Sequence, residues 1–388
     1  MSIANERPLL LDVTRLIWRR WVGRYPTGID RVCVAYLNRY RGEAQAVIQH
    51  RGLRRILSEA ASDRLFDILQ GAGKSVRGEL AHFIGREWLR SRRRLKGRTR
   101  PYLNVGHTAL HDPLYLKWTS KADVRPFYMI HDLIPITHPE YCRAGEAQRH
   151  SQRVRNMLAS GIGIIGNSQA TLDSLSAFAD ANGMITPALI AAPLGTDLDR
   201  IAGEVRTTDR PTFVMLGTIE ARKNHYFLLR IWERLVRASG FEAPLLLVIG
   251  QRGWECEEVF DLLDHSETLR ESVVEIGHCT DAELETYLRS ARALLFPTLV
   301  EGYGLPLIEA LASGTPVIAS DLPVFHEIGQ EIPDFIDPLA GSAWQSMIED
   351  YAKPGSAARA AQVKRLARFS PPRWDDHFAT VDSWLKAL

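Results

Sequence analysis

Several things are scarce in this chain. Its 388 residues include only four cysteines, Cys33, Cys142, Cys256 and Cys279, scattered and with no Cys-x-x-Cys among them. That excludes a zinc ribbon or a disulfide scaffold and suits a reducing compartment. No apolar run approaches the ~18 residues a membrane span needs. Near the N-terminus, Leu9-Leu10-Leu11 is broken by Asp12 and is too short for a signal-peptide core. The expectation is a cytoplasmic protein, at most peripheral on the cytoplasmic face of an inner membrane. Net charge is also small: 48 Lys and Arg against 46 Asp and Glu leave +2. No global field therefore draws the chain to a polyanion, and any basic function must be local. No repeat of fixed period and no low-complexity tract occurs. With 45% hydrophobic and 24% charged residues, the composition is globular and excludes disorder, collagen and coiled coil.

The length exceeds what one hydrophobic core supports, about 250–300 residues, so two domains are expected. Short apolar runs alternate with helix-period segments. In the first half the runs are Leu9–Val13, Ala46–Gln49, Tyr102–Val105, Phe127–Ile130, Ile162–Ile165 and Ala188–Ala191. In the second they are Thr212–Leu216, Leu245–Ile249, Val273–Ile276, Ala293–Phe296 and Val317–Ala319. Apolar strands interleaved with helices (among them Arg86–Lys96, Asn224–Ala238 and Trp254–Leu263) predict parallel sheets covered on both faces. The proline-bounded, charged stretch Pro193–Pro211 reads as the seam. The fold class is thus α/β, with two doubly wound Rossmann-like domains over 1–200 and 201–369. A last helical segment with aromatics at Trp374, Phe378 and Trp384 covers 370–388.

Four segments carry candidate chemistry. The first is Glu301-Gly302-Tyr303-Gly304-Leu305-Pro306, which continues to Glu309 and lies between a strand and a helix. Gly302 and Gly304 let backbone N–H groups approach a ligand, and a helix N-terminus favours an anion. The flanking carboxylates suit hydroxyls, so a ligand with both phosphate and diol fits. The competing reading is that Glu309 complements the helix dipole and the glycines only turn the chain. The second segment, Gly217-Thr218-Ile219-Glu220-Ala221-Arg222-Lys223-Asn224, places two cations at a helix start, against the dipole. A bound anion offsets that, as at the carboxyl end of open α/β sheets; two solvated cations on a turn are the alternative. The third, His131-Asp132, ends a strand, where His131 could exchange a proton, bond a hydroxyl or simply be structural. The fourth, Thr27-Gly28-Ile29-Asp30, is either a ligand-contacting helix start or a plain turn.

Three decoys are set aside. Gly71-Ala72-Gly73-Lys74-Ser75 lacks the leading glycine of a phosphate loop, because Ile68 stands there. His107 and His111, and His326-Glu327, lack the partners of a metal-hydrolase motif. Asp197-Leu198-Asp199 reads as solvated linker. The run Arg86–Arg100 has eight basic residues and one acid, with Trp88, Leu89 and Leu95 interspersed. It reads as a solvated helix face or as an amphipathic patch for an anionic leaflet, centred on Arg90, Arg92, Arg93, Arg94 and Lys96. No nucleic-acid recognition module accompanies it.

Together these pieces resemble the retaining GT-B glycosyltransferases of family 4, the group of bacterial polysaccharide and O-antigen mannosyltransferases. Glu301 and Glu309 have the family's Glu-x7-Glu spacing, within EGYGLPLIEALASGTPVIASDLPVFHEI. GTIEARKNH resembles its diphosphate-binding turn. HDLIPITHPEYC, IIGNSQATLDSL and TGIDRV are similar to its N-domain stretches. The resemblance implies a GT-B enzyme moving a sugar, with mannose from GDP-mannose the leading donor, to a lipid-linked saccharide in surface-polysaccharide or O-antigen assembly. It implies retention by front-face attack, with the departing phosphate taking the acceptor's proton, and neither cofactor nor metal. Arg222 and Lys223 would neutralise the diphosphate, Glu309 hold the ribose, and Glu301 hold the sugar with the amides of Gly302, Tyr303, Gly304 and Leu305. Gly217 and Thr218 join this donor site, and Gly28 lets the N-domain loop close on the phosphates. His131 would sit over the sugar, with Asp132, Asn167 and Ser168 in the same cleft. The base would lie near Ile276–Thr280, by His278. The last helix would return to the first domain. The alternatives are rhamnosyl, glucosyl or fucosyl transfer on the same site, or an idle sugar-nucleotide-binding module.

Overall fold

A computed structural model of the chain describes residues 7–23, 28–50, 52–71, 76–90, 95–196 and 210–388, without the side chains of residues 76 and 87–90. It divides into two units. One comprises Met1–Leu194 with Trp374–Leu388, the other Gly195–Arg373.

The first unit holds β1 (Leu9–Asp12), β2 (Ala44–His50), β3 (Leu53–Ile56), β4 (Arg100–Asn104), β5 (Val124–Ile130), β6 (Gly163–Gly166) and β7 (Ala188–Ala191). They lie in the order β3-β2-β1-β4-β5-β6-β7. All pair in parallel except β3, which turns back antiparallel on β2. Leu10, Tyr102, Tyr128, Ile130 and Ile164 fill one face with Val154 and Met157 of the helix Glu146–Ser160. The helix Trp374–Ala387 packs on the same unit. His377 hydrogen-bonds the Tyr36 hydroxyl at 2.9 Å, and Asp382 accepts from Tyr40 at 2.6 Å and Arg39 at 2.5 Å.

The second unit holds β8 (Thr212–Leu216), β9 (Leu245–Ile249), β10 (Val273–Ile276), β11 (Ala293–Phe296), β12 (Val317–Ser320) and β13 (Asp334–Ile336). The order is β10-β9-β8-β11-β12-β13, and every pairing is parallel. Its core is built on Phe213, Met215, Trp232, Val248, Leu295, Ile318 and Trp344. Both sheets reverse their winding beside the first strand, between β1 and β4 and between β8 and β11. Open α/β sheets bind ligands outside the carboxyl ends of the strands flanking such a point.

Some local expectations are corrected. β3 is Leu-Arg-Arg-Ile, too polar to read as a strand, and it forms because β2 supplies a hairpin partner. The helix expected over Arg86–Lys96 is instead Val76–Arg90. Gly97 explains why Lys96 is not helical. Its N–H donates to Ala122 O at 2.6 Å, a Cβ there would sit 2.6 Å from Asp123 O, and Arg98 and Thr99 follow with positive φ. Lys96 is exposed, whereas Arg92, Arg93, Arg94 and the triplet Asp197–Asp199 lie outside the described residues, as does the side chain of Arg90. The helix expected from Trp254 starts at Glu257.

Candidate active site

The two loops at the winding point of the second unit follow β8 and β11, and they carry the two most informative motifs. After β8 the chain passes Gly217 and Thr218 to a short 3-10 turn, Ala221–Lys223. Asn224, left-handed at φ 65°, then admits it to the helix His225–Ser239. Arg222 and Lys223 thus stand on a turn ahead of the helix rather than in its first turn. After β11 comes the loop to the helix Leu305–Ala312, whose N-cap is Gly304 at φ 111°. A side chain at Gly304 would meet the Phe325 ring at 2.8 Å, so only glycine allows the loop to lie on that ring.

The loops are laced by backbone bonds. Leu299 N–H and the Thr298 hydroxyl both donate to Arg222 O, at 2.8 and 2.9 Å. The Asn224 amide donates to Pro297 O at 3.1 Å and Pro338 O at 3.2 Å. Beside them, the β9 loop touches the β8 loop so closely that a Cβ on Gly250 would fall 2.0 Å from Gly217 O.

This frame gathers charge. The Lys223 ammonium bonds the Glu301 carboxylate and lies 4.6 Å from the centre of the Phe296 ring. Arg222 reaches the same Glu301 oxygen at 3.1 Å through NH1, and Glu220 at 3.1 Å through Nε. The side chains of Lys223 and Glu301 are only 7% and 12% exposed. Burial would push the Glu301 carboxyl up, but the charges of Lys223 and Arg222 and hydrogen bonds from both hold it at about 2. Burial draws the Lys223 ammonium down, against the pull of Glu301. Glu220 moves up, because burial outweighs the neighbouring cations and Glu301 adds like charge. Sequence reasoning did not single out Glu220, though its place two residues before Arg222 was the available signal. Among the other expected donor residues, Glu309 and Tyr303 are buried, Gly302 lies in the loop, Leu305 opens the helix, and His278 is exposed beyond β10. Thr280, near the expected base site, forms a capping box with Glu283.

The first unit answers differently. His131, just past β5, is 4% exposed, and its Nε2 bonds Val105 O at 2.8 Å. Burial lowers it to about 4, so it is neutral near pH 7. His107 lies 4.9 Å from it, ring to ring, and bonds Met129 O at 2.8 Å. His150 bonds the carbonyl of Asp132 at 3.0 Å. Burial lowers both of these as well. Asn167 donates to His131 O at 2.8 Å. Ser168 is fully buried as the N-cap of the helix Gln169–Ala181, accepting from Thr171 N–H at 3.1 Å. Gly28 opens the helix Gly28–Tyr40. The structure therefore joins His131 to Asn167, and Arg222 and Lys223 to Glu301.

Residues 199–331 match the family described as glycosyl transferases group 1. The serotype-specific mannosyltransferase WbdA of Escherichia coli is 28% identical over 244 residues, 58% of this chain and 29% of that one. The O-antigen chain mannosyltransferase RfbU of Salmonella typhimurium is 40% identical over 118 residues, 30% of this chain and 32% of its own. The chain thus spans under a third of the length of these relatives. Among solved structures, Anabaena HepE, in complex with UDP and glucose, has a TM-score of 0.65 at 14% identity, covering 98% of this chain and 99% of that one. Sucrose-phosphate synthase from Thermosynechococcus elongatus has a TM-score of 0.61 at 15% identity over the same shares. The paired cations and Glu301 thus lie within the stretch that matches the glycosyl transferases group 1 family, in a chain whose fold is that of the GT-B glycosyltransferases.

Proposed function

We propose that the protein is a retaining glycosyltransferase of surface-polysaccharide or O-antigen assembly. It takes a sugar from a nucleotide donor, with mannose from GDP-mannose the first choice, and passes it to a lipid-linked saccharide. The observation that carries this reading is the buried cluster of Arg222 and Lys223 against Glu301, at the winding point of the group 1 domain. The mannosyltransferase relatives support the sugar.

In this reading the bond from the anomeric carbon to the diphosphate breaks as the acceptor oxygen bonds the same face. The acceptor's proton passes to the departing phosphate oxygen. The demand on the protein is to stabilise charge on that leaving group, and Arg222 and Lys223 supply it, pre-set in a low-dielectric frame. Glu301 takes sugar hydroxyls, the amides of Gly302, Tyr303, Gly304 and Leu305 approach the donor, and Glu309 takes the ribose. No cofactor enters this scheme. His131, neutral and held by Val105 O, serves as a hydrogen-bonding group toward the sugar rather than as a charged acid. A thermal-shift panel of GDP-, UDP- and dTDP-sugars tests the donor. A ligand stabilises by RT ln(1 + [L]/Kd), so GDP-mannose should raise the melting temperature most. A larger rise with a UDP- or dTDP-sugar overturns that choice, and no rise with any of them overturns the donor site.

An anionic membrane surface fits the lipid-linked acceptor. The helix Thr14–Val22 has no acid, and it exposes Trp18 and Trp21, 51% and 47%, one turn apart beside Arg20. Indole rings with neighbouring arginines suit the headgroup region. Co-sedimentation with phosphatidylglycerol vesicles should fall in a Trp18→Ser/Trp21→Ser variant, and unchanged binding removes this surface from the reading.

A further inference from the structure

The proposed reading gives Arg222 and Lys223 to the donor diphosphate and Glu301 to the donor sugar, yet here Glu301 sits on both cations at once. The Lys223 ammonium and Arg222 NH1 converge on one oxygen, Glu301 Oε2. A diphosphate brings two or more negative charges to the same place. In a frame this dry, the Glu301 carboxylate on the same nitrogens repels it strongly, since the Coulomb term grows as the dielectric falls. The two anions are therefore alternatives.

The frame also decides what moves. Backbone bonds from Leu299 N–H and the Thr298 hydroxyl to Arg222 O, with Arg222 NH1 on Val300 O at 3.4 Å, pin the β11 loop to the β8 turn up to the residue before Glu301. The loop need not open, because rotation of the Glu301 side chain is enough. Glu220 differs. Its carboxylate bonds Arg222 at Nε, whereas Glu301 is reached through NH1, so it orients the guanidinium without occupying the position Glu301 takes.

We infer that Glu301 is a built-in stand-in for the donor diphosphate: it neutralises Arg222 and Lys223 in the empty protein, is displaced onto the sugar when donor binds, and returns to the cations once the sugar has left. This rests on the proposed donor site and adds a role to it. While the sugar is attached, its hydroxyls hold Glu301 away from the cations. After transfer nothing does, and the returning carboxylate competes with the nucleoside diphosphate for Arg222 and Lys223. Glu301 thereby favours sugar nucleotide over spent nucleotide and speeds product release. A residue that only held sugar hydroxyls would leave affinity for the spent nucleotide unchanged when altered.

The test is calorimetric titration of the full chain with GDP and UDP, and with inorganic pyrophosphate as the anion alone. Glu301→Gln should bind the better nucleoside diphosphate and pyrophosphate on the order of tenfold more tightly than the natural protein, while losing turnover with sugar nucleotide. Pyrophosphate should also raise the melting temperature of Glu301→Gln more than that of the natural protein, since it replaces the missing anion. Should Glu301→Gln not fold, Glu301→Asp, shorter by one methylene, should shift affinity the same way by less. If the natural protein binds these ligands and the Glu301 variants bind them equally or more weakly, the exchange is wrong while the donor site stands. If neither binds any of them, the donor site falls and the exchange with it.

Discussion

The two units set different polar groups near the carboxyl ends of their central strands. In the second, two cations and two carboxylates are packed into a frame of backbone bonds, and the side chains bond one another. In the first, three histidines are buried near the ends of β4 and β5, neutral, each bonded to a backbone carbonyl: His131 to Val105, His107 to Met129 and His150 to Asp132. The second unit thus has a grip of cations and carboxylates bonded to one another, and the first a shelf of neutral rings beside its own buried ion cluster, Arg15 and Arg19 on Asp30. Charge suits a leaving diphosphate; neutral donors and acceptors suit a sugar, whose hydroxyls carry no charge to match. The contrast also predicts where each unit is vulnerable.

The largest effect is expected from Lys223→Met, which keeps most of the volume and removes the ammonium. Glu301 then faces Arg222 alone, and the leaving group loses one of its two cations. Turnover should fall about a hundredfold or more, as when one preorganised charge-stabilising donor is removed. Breaking a buried pair should also cost roughly 3 kcal/mol of stability. Steady-state kinetics and chemical denaturation read the two losses. Near-normal turnover would mean the second unit's charge is structural, and the contrast between the units would lose its functional meaning.

An intermediate effect is expected from acid, and its pH window separates His131 from Glu301. His131 is lowered from 6.5 to about 4 by burial. A group with a depressed cationic pKa costs nothing above its unfolded value, because both states are neutral. As pH falls below 6.5 the unfolded chain takes up the proton first, and stability drops until the folded pKa is passed. By pH 5 His131 alone accounts for about 2 kcal/mol. The first unit also buries His107, His150 and His377, all lowered, whereas the second has His225, at about 3, as its comparable case. Glu301 runs later on the acid side. Held at about 2, it retains its stabilising contribution above about 4.5 and loses it only below. His131→Gln keeps a donor for Val105 O and removes the titration. Its stability relative to the natural protein should improve by about 2 kcal/mol between pH 7 and pH 5. An unchanged difference would mean His131 is not buried as a neutral ring.

How far each site was legible follows from the same contrast. Arg222, Lys223 and Glu301 interact side chain to side chain, so residue type and spacing betray them, and a pair of cations before a helix breaks a rule that is easy to see. What spacing hid was that Glu301 belongs with the cations: 78 residues separate it from Lys223, and only the adjacency of β8 and β11 joins them. Glu220 was hidden by looking like an ordinary turn residue. In the first unit each of these histidines bonds a backbone carbonyl, which every residue has, so nothing marks His107 or His150 as neighbours of His131. The strands of both sheets were legible where they are apolar, and β3 and β13 escaped because one is polar and the other has three residues. Gly97, which ends the basic run's helical reading, acts through a close approach to residues 122–124 that no local pattern encodes.

The smallest effect expected is the most discriminating for the first unit. Ser168 follows the β6 strand and was read from sequence as facing the same cleft as His131. Its hydroxyl accepts from Thr171 N–H at 3.1 Å and donates to the Thr171 hydroxyl at 3.0 Å, and the residue is wholly buried. A capping serine accounts for all of that. Ser168→Ala should therefore cost about 1 kcal/mol of stability, the usual worth of an N-cap, and leave kcat and KM as they are at temperatures where the variant is folded. The neighbouring Asn167, whose amide holds His131 O, gives the contrast within two residues. Asn167→Ala should raise KM, because it frees the loop that carries His131. If Ser168→Ala lowers kcat/KM as much as Asn167→Ala does, at equal folded fraction, then Ser168 contacts substrate, and the first unit's shelf extends from the histidines to the start of the helix Gln169–Ala181.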